Sequence, residues 1–310
     1  MARPYALTIV VPVYNGANSI GRLVDAVAAL DIPGGHEIVL VNDGSPDNSL
    51  EVCRKIAERT DITVTVVNLA RNFGEHNAVM AGLNHARGDF VITMDDDLQN
   101  PPHEVKRLFE YARDRQKDAV YTFYEVKEHA AWRNWGSQFT NYCADILLDK
   151  PKGLYLSSFR CLSAFVVENI VKYAGPYPYI DGLVFQVTKD VDRLKVEHLP
   201  RLDGASNYTL RRLIRLWMAM FLNFSVMPLR MATLMGLALG GLGFLGFLWV
   251  VVEALGGKTP TGYASIMVAV LVVGGAQLVM LGVIGEYLGR LYLTNNRKPQ
   301  FIVRDVTRRS

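Results

Sequence analysis

Phe90-Val91-Ile92-Thr93-Met94-Asp95-Asp96-Asp97-Leu98-Gln99 runs from a short apolar segment straight into three consecutive carboxylates. Residues 90–94 read as a buried strand, which places the acids at its carboxyl end. Three carboxylates packed there repel one another unless a cation offsets the charge. Alternate residues of an extended segment point the same way, so Asp95 and Asp97 can face one ion while Asp96 faces elsewhere. Oxygen ligands suit Mg²⁺ or Mn²⁺, which retain waters and bind substrate phosphates as well. Acidic loops also cap helices, and Asn100-Pro101-Pro102 begins one here. Capping therefore stands as the alternative.

Outward from this stretch, the apolar runs 7–13, 37–41, 63–68 and 119–123 alternate with helix-like stretches at 17–30, 48–59, 76–86 and 102–113. Strand alternating with helix implies an α/β fold with a mostly parallel sheet covered on both faces. Ligands of such sheets bind beyond the carboxyl ends of the strands. Three polar turns fall there: Tyr14-Asn15-Gly16, Asn42-Asp43-Gly44-Ser45 and the acid cluster. Asp43 can accept from the N–H groups of a nucleobase, with Gly44 permitting close backbone approach. It can equally hold an Asx-type turn. Pro12 and Val13 give a rigid edge, with Tyr14 as an aromatic to cover a base. Residues 126–200 read as one helix over 130–148 and further mixed structure.

Residues 231–252 and 259–285 hold no Asp, Glu, Lys or Arg. Each run exceeds the roughly 20 residues a helix needs to cross a bilayer core. Arginines gather before the first run (Arg201, Arg211, Arg212, Arg215, Arg230), and basic residues after the second (Arg290, Arg297, Lys298, Arg304, Arg308, Arg309). The positive-inside rule then puts both termini in the cytoplasm. Residues 208–223 read as a helix with Arg211, Arg212 and Arg215 on one side and Leu213, Trp217 and Phe221 on another. It suits a bilayer interface, with packing on the soluble domain as the alternative. The net charge of +3 points to an anionic membrane surface rather than to nucleic acid. The run 7–13 is too short for a signal peptide and leads into turn chemistry, so it reads as the first strand. Cys53, Cys143 and Cys161 have no pairing or metal spacing, as suits a reducing compartment.

Together, Val11-Pro12-Val13-Tyr14-Asn15, Asn42-Asp43-Gly44-Ser45, Arg71-Asn72-Phe73-Gly74 and the run from Asp95 to Pro102 resemble family 2 glycosyltransferases of the GT-A fold. Gly204-Ala205-Ser206-Asn207-Tyr208, Met227-Pro228-Leu229-Arg230, Gly285-Glu286-Tyr287-Leu288-Gly289-Arg290 and Arg297-Lys298-Pro299 are similar to the polyprenyl-phosphate branch of that family. The resemblance implies a Rossmann-like GT-A domain over 1–205, amphipathic juxtamembrane helices over 206–229, two transmembrane helices over 230–290 and a basic cytosolic tail over 291–310. It implies inverting transfer of a sugar from a UDP- or GDP-linked donor to a polyprenyl phosphate, undecaprenyl phosphate above all, at the inner membrane. Pro12, Tyr14, Asn15, Asp43 and Ser45 would hold the nucleotide. Asp95, Asp97 and Gln99 would bind the metal and the donor diphosphate. Arg133 and Ser137 would hold the acceptor phosphate, and Arg201 would close over the donor on a mobile loop.

Five departures qualify this picture. Gly16 stands where the family usually has Glu, Asn207 where it has Lys, Tyr124 where an Arg often contacts phosphate (Lys127 being a substitute at hand), Ser158 where members often have a candidate base Asp, and Asp181 where an Arg is common. Ser158 is tolerable there because a phosphate monoester, with a second pKa of about 6, is already largely dianionic at neutral pH. Gly236-x-x-x-Gly240 and Gly285-x-x-x-Gly289 would let helices pack closely, within a chain or in a homo-oligomer. Two rivals remain: a processive polysaccharide synthase, whose Q-x-x-R-W motif and extra spans are missing, and a non-catalytic membrane adaptor, which would need no acid cluster.

Overall fold

Strand β1 (Tyr5–Val13) is apolar on both faces, as a strand buried from two sides must be. The computed structural model describes residues 3–59, 61–124, 154–197, 199, 227–256, 262–296 and 298–308. After β1 come α1 (Ile20–Ala28), β2 (His36–Asn42), α2 (Ser49–Ala57), β3 (Thr63–Leu69), α3 (Glu75–Leu83), β4 (Gly88–Thr93), α4 (Pro102–Asp114) and β5 (Ala119–Phe123). Then follow β6 (Arg160–Ser163), α5 (Ala164–Ile170), α6 (Ile180–Val187) and β7 (Val191–Lys195). Two long helices, α7 (Met227–Leu255) and α8 (Tyr263–Asn295), precede a last strand, β8 (Val303–Arg308). The five strands and four helices expected before residue 125 all form, with ends shifted by a few residues. The helices expected at 130–148 and 208–223 lie outside the described residues.

The chain divides into two compact units, Met1–Arg215 with Arg297–Ser310, and Leu216–Asn296. The first is built on one eight-stranded sheet in the order β7-β5-β6-β4-β1-β2-β3-β8. Strands β4, β1, β2 and β3 are mutually parallel, as are β5 and β7, whereas β6 and β8 run against their neighbours. Leu7, Ile9, Val11 and Val13 point into a core shared with Leu23 and Val24 of α1, Cys53 and Ile56 of α2, and Leu108 and Phe109 of α4. The alternate residues face α3. There Gly82 approaches so closely that an added Cβ would lie 2.3 Å from Val10 Cγ1. Two-residue periodicity on β1 thus buries both faces. Cys53 and Cys161 are buried free thiols, and burial pushes the Cys53 pKa up to about 12.

Strand β8 corrects the reading of 291–310 as a tail. Its residues pair antiparallel with β3, from Thr65 opposite Arg308 to Leu69 opposite Val303. Charges at Arg304, Asp305 and Arg308 leave this segment without an apolar run, yet charge is what protects an edge strand from further pairing.

In the second unit α7 and α8 pack against each other. Within their uncharged runs both are apolar all round, with Leu237, Phe244, Trp249, Leu278 and Leu281 exposed, which is unlike a surface helix of a soluble protein. Among the described residues, Val272–Asn295 is long and apolar enough to cross a membrane, and Ala232–Gly246 is a shorter apolar stretch. A Cβ at Gly236 would meet Met280 Cε at 3.3 Å, whereas Gly240, Gly285 and Gly289 have nothing within 4 Å.

Candidate active site

The crevice begins where β1 and β4 part. Their ladder reaches Val10 opposite Thr93, and its last bond runs from the Met94 N–H to the Val10 carbonyl at 3.1 Å. The next donor along that edge of β1 would be residue 12, a proline with no N–H. Strand β1 stays with β2 as far as Val13 opposite Asn42, while the chain after β4 carries Asp95, Asp96 and Asp97 outward. This is the point where strand order reverses, the usual mouth of a doubly wound sheet. Two residues here take left-handed backbone, Asn15 (φ 58°) and Leu98 (φ 60°). Asn tolerates that region, but for Leu it costs about 1–2 kcal/mol.

Antiparallel pairing of β4 with β6 sets Thr93 opposite Arg160 and so brings Ser158 beside Asp95. Ser158 Oγ donates to Asp95 Oδ2 at 2.7 Å, and Thr93 Oγ1 fixes Ser158 by donating to its carbonyl at 2.6 Å. Desolvation raises the Asp95 pKa to about 6. The charges of Glu75 and Asp97 add to the rise, and the Ser158 bond and Arg160 oppose it. A cation beside Asp95 would relieve this penalty. Asp96 turns to the β1–α1 loop, where a Cβ on Gly16 would lie 1.9 Å from its Oδ2. That contact gives Gly16 its physical reason, since a side chain there would displace Asp96. Asp97 Oδ1 accepts the Gln99 N–H at 3.2 Å, and Gln99 Nε2 donates to the Leu199 carbonyl at 3.3 Å. Helix α4 has Pro101 at its N-cap, with no side-chain cap bond from that residue.

Among the described residues no three His, Cys, Asp or Glu side chains form a metal cage. Two carboxylates that leave the remaining positions to phosphate and water do fit Mg²⁺ or Mn²⁺, which are seldom held by protein ligands alone.

The second loop is stitched to the first. Ser45 Oγ accepts the Asn15 N–H and donates to the Val13 carbonyl, both at 3.3 Å. The Gly16 N–H reaches Ser49 Oγ at 2.9 Å, and the Ala17 N–H reaches Asp47 at 3.3 Å. Asp43 is 3% exposed. Its two oxygens accept from the Phe73 N–H at 2.7 Å and the Gly74 N–H at 2.9 Å, which anchors the Arg71–Gly74 segment. Burial raises the Asp43 pKa, and those two bonds oppose the rise. The turn-holding reading of Asp43 is thus visible in the structure, and each oxygen retains a lone pair for a nucleobase N–H. Gly44 (φ 62°) is pressed against this segment, so an added Cβ would lie 2.5 Å from the Arg71 carbonyl carbon. Tyr14 is 50% exposed, its ring open to a ligand.

Asp181 faces inward. It is 6% exposed, forms an ion pair with Arg160 and accepts from Tyr121 Oη at 2.9 Å. Burial works against the Arg160 charge, and Asp181 and Tyr121 more than offset it, so its pKa stands above the ordinary value. The departure at Asp181 therefore supplies a buried pair joining α6 to β6. His76 packs edge-on to Tyr179 at 5.1 Å between ring centroids, and burial lowers its pKa to about 4.

The β-strand ends thus bring together Pro12, Tyr14, Asn15, Asp43, Ser45, Asp95, Asp97, Gln99 and Ser158. Arg133, Ser137 and Arg201 lie outside the described residues. Sequence reasoning missed Glu75, Asp47, Ser49 and Arg160. Glu75 directly follows the recognised Arg71–Gly74 motif, but only the β3–α3 crossover brings its charge to Asp95.

Fold and site together define a GT-A domain, a Rossmann-like mixed sheet with an acidic loop at its switch point. The profile of Glycosyl transferase family 2 matches residues 8–168, and that of the GtrB C-terminal hairpin matches residues 227–291. The undecaprenyl-phosphate 4-deoxy-4-formamido-L-arabinose transferase of Pseudomonas aeruginosa (strain LESB58) is 35% identical over 99% of this chain and 92% of its own. Its counterpart in Edwardsiella ictaluri (strain 93-146) is 34% identical over 97% of this chain and 94% of its own. Glucosyl-3-phosphoglycerate synthase from Mycobacterium tuberculosis, solved with Mn²⁺, UDP and phosphoglyceric acid, shares the fold at 17% identity. Its TM-score is 0.51, over 69% of this chain and 75% of that one. The chain belongs to glycosyl transferase family 2 and is a glycosyltransferase.

Proposed function

We propose that the protein transfers a sugar from a UDP- or GDP-linked donor to a polyprenyl phosphate, undecaprenyl phosphate above all, with inversion, at the cytoplasmic face of the inner membrane. The observation that carries this reading is that similarity to the undecaprenyl-phosphate transferases runs through both the sheet unit and the apolar hairpin. A phosphate oxygen of the lipid attacks the anomeric carbon. The bond from that carbon to the donor diphosphate breaks, releasing nucleoside diphosphate and a lipid-phosphate sugar. No strong base is needed, because the attacking phosphate is already anionic. That suits Ser158, which orients Asp95 by its hydrogen bond.

Asp95 and Asp97, with Gln99 beside them, would hold Mg²⁺ or Mn²⁺ against the diphosphate. Bound there, such an ion would supply positive charge to offset the negative charge gathering on the leaving group. Pro12, Tyr14, Asn15, Asp43 and Ser45 shape the nucleotide side, and Tyr14 covers the base. Arg133 and Ser137 hold the lipid phosphate, and Arg201 closes over the donor.

The hairpin of α7 and α8 would cross the membrane twice. Support comes from β8, which rejoins the sheet of the N-terminal unit, so the chain enters and leaves the hairpin on one side. Basic residues on both flanks favour the cytoplasm for that side, and the GxxxG glycines with nothing within 4 Å are free to pack against a second copy. The test is a panel of nucleotide sugars with undecaprenyl phosphate and Mg²⁺ or Mn²⁺, scored by product mass. One donor should yield a single-sugar glycolipid. A growing polymer would favour the processive synthase, and no product with any donor would overturn the assignment of undecaprenyl phosphate as acceptor.

A further inference from the structure

Asn42, Asn68 and Asp305 occupy one row across three adjacent strands, with Asn42 opposite Asn68 and Asn68 opposite Asp305. Asn42 Nδ2 donates to Asn68 Oδ1 at 3.0 Å, and Asn68 Nδ2 donates to Asp305 Oδ2 at 2.8 Å. Arg54 of α2 donates to the other Asp305 oxygen at 2.9 Å. At the far end, Asn42 Oδ1 accepts the Ser45 N–H at 3.4 Å. Ser45 in turn ties Asn15 to Val13. Asn42 and Asn68 are 2% and 5% exposed, so an amide that lost its partner would remain unsatisfied.

An asparagine amide can present either end, so something must choose the direction of this row. An ionised carboxylate only accepts. Asp305 therefore draws the Asn68 amide nitrogen, which turns Asn68 Oδ1 to Asn42. That sets the Asn42 nitrogen toward Asn68 and its oxygen toward Ser45. Partners on both sides hold the Asp305 carboxyl below its usual range, the Asn68 bond foremost and the Arg54 bond with it, against slight burial. The strand itself is docked independently. The Ala70 N–H bonds the Ile302 carbonyl at 2.9 Å, Arg304 donates to the Ala70 carbonyl at 3.3 Å, and Arg308 pairs with Glu37 at 3.4 Å.

We propose that Asp305 is a positioning residue for the donor loop: from the strand that follows the apolar hairpin, it fixes the direction of a buried amide row that ends on Ser45. This rests on the reading of residues 12–15 and 43–45 as the nucleotide side of the site. It makes the donor site depend on a strand that only the chain returning from the hairpin can supply.

The test uses full-length protein in detergent, with UDP and GDP as probes, each with Mg²⁺, and steady-state kinetics on the best donor. Asp305→Ala should weaken nucleoside diphosphate binding and raise the donor KM by roughly three- to tenfold, the scale of one hydrogen bond. kcat and the acceptor KM should stay within about twofold of wild type on the same scale of reasoning, since neither reacting group is touched. Arg54→Ala alone should bind as wild type. Arg54→Ala with Asp305→Asn should also approach wild type, because without Arg54 the carbonyl of the introduced amide is free to face Asn68 and restore the direction. Wild-type binding by Asp305→Ala overturns the proposal. So does a double variant as weak as Asp305→Ala, or a loss spread equally over kcat and the acceptor KM, which is what general destabilisation would give. Failure of the wild type to bind either nucleotide would instead remove the nucleotide reading on which the proposal stands.

Discussion

At the scale of single residues, Asp95 and Asp97 differ in what surrounds them. Asp95 is desolvated among the charges of Glu75 and Asp97, with Ser158 donating to it. Its folded pKa of about 6 is above the ordinary carboxylate value of 3.8, so the native protein binds the proton more readily than the unfolded chain does. Stability from this group is then present below the unfolded value and lost as pH rises from about 4 through 6. In metal-free protein at pH 7.5, Asp95→Asn should therefore raise stability by about 1–3 kcal/mol. The gain should shrink as pH falls toward 4. Chemical denaturation at both pH values measures this, and a gain unchanged by pH would show that the penalty is not one of charge. Asp97→Asn keeps the shape of its side chain and removes a negative charge. It should nearly abolish turnover and strip divalent-ion affinity, with the melting temperature as a folding control. Near-normal turnover that is insensitive to EDTA would remove the metal role.

Among the elements, the loop after β2 shows how backbone freedom shapes the site. Gly44 combines left-handed φ with backbone contact to Arg71 and Asn72, so both conformation and space exclude a side chain. Gly44→Ala should cost about 2 kcal/mol or more. By pushing Phe73 and Gly74 off Asp43, it should also raise the donor KM. Gly240→Ala in α7, where an added Cβ has nothing within 4 Å, should change the stability of the monomer little. Equal effects of the two substitutions on unfolding by denaturant would contradict the packing described for Gly44. The same glycine probes association, because a drop in oligomer mass caused by Gly240→Ala would mark that face as a contact between copies.

For the whole molecule, one sheet is completed from two distant parts of the chain. Strand β8 closes the edge at β3 after the hairpin, so on the proposed topology β3 and β8 would lie on the same side of the membrane. A cysteine placed at Thr261, between α7 and α8, should react with a membrane-impermeant reagent only from the periplasmic side of sealed vesicles. Labelling from the cytoplasmic side alone would overturn two crossings. The buried thiols Cys53 and Cys161 contribute little background while the protein stays folded, and a chain lacking the Thr261 substitution controls for Cys143.

The sequence by itself determined the β–α alternation of the first 125 residues, the apolar hairpin and the loops that meet at the site. Each of these depends on local pattern: two-residue or helical periodicity, turn chemistry, or a long run without charge. Residue order also located Asp95 and Asp97, because acids directly after an apolar strand must emerge at its end. Only the tertiary structure decided what those acids meet. Ser158 reaches Asp95 because β6 runs antiparallel to β4, and Glu75 reaches it through the β3–α3 crossover. Gly16 makes sense only beside Asp96, and Asp181 only beside Arg160. Strand β8 reads as a basic tail until β3 lies alongside it, since an edge strand is stabilised by its neighbour's backbone rather than by apolar side chains of its own. Periodicity records which way a residue faces. Which partner it finds there is fixed by strand order, because pairing joins segments far apart in the chain.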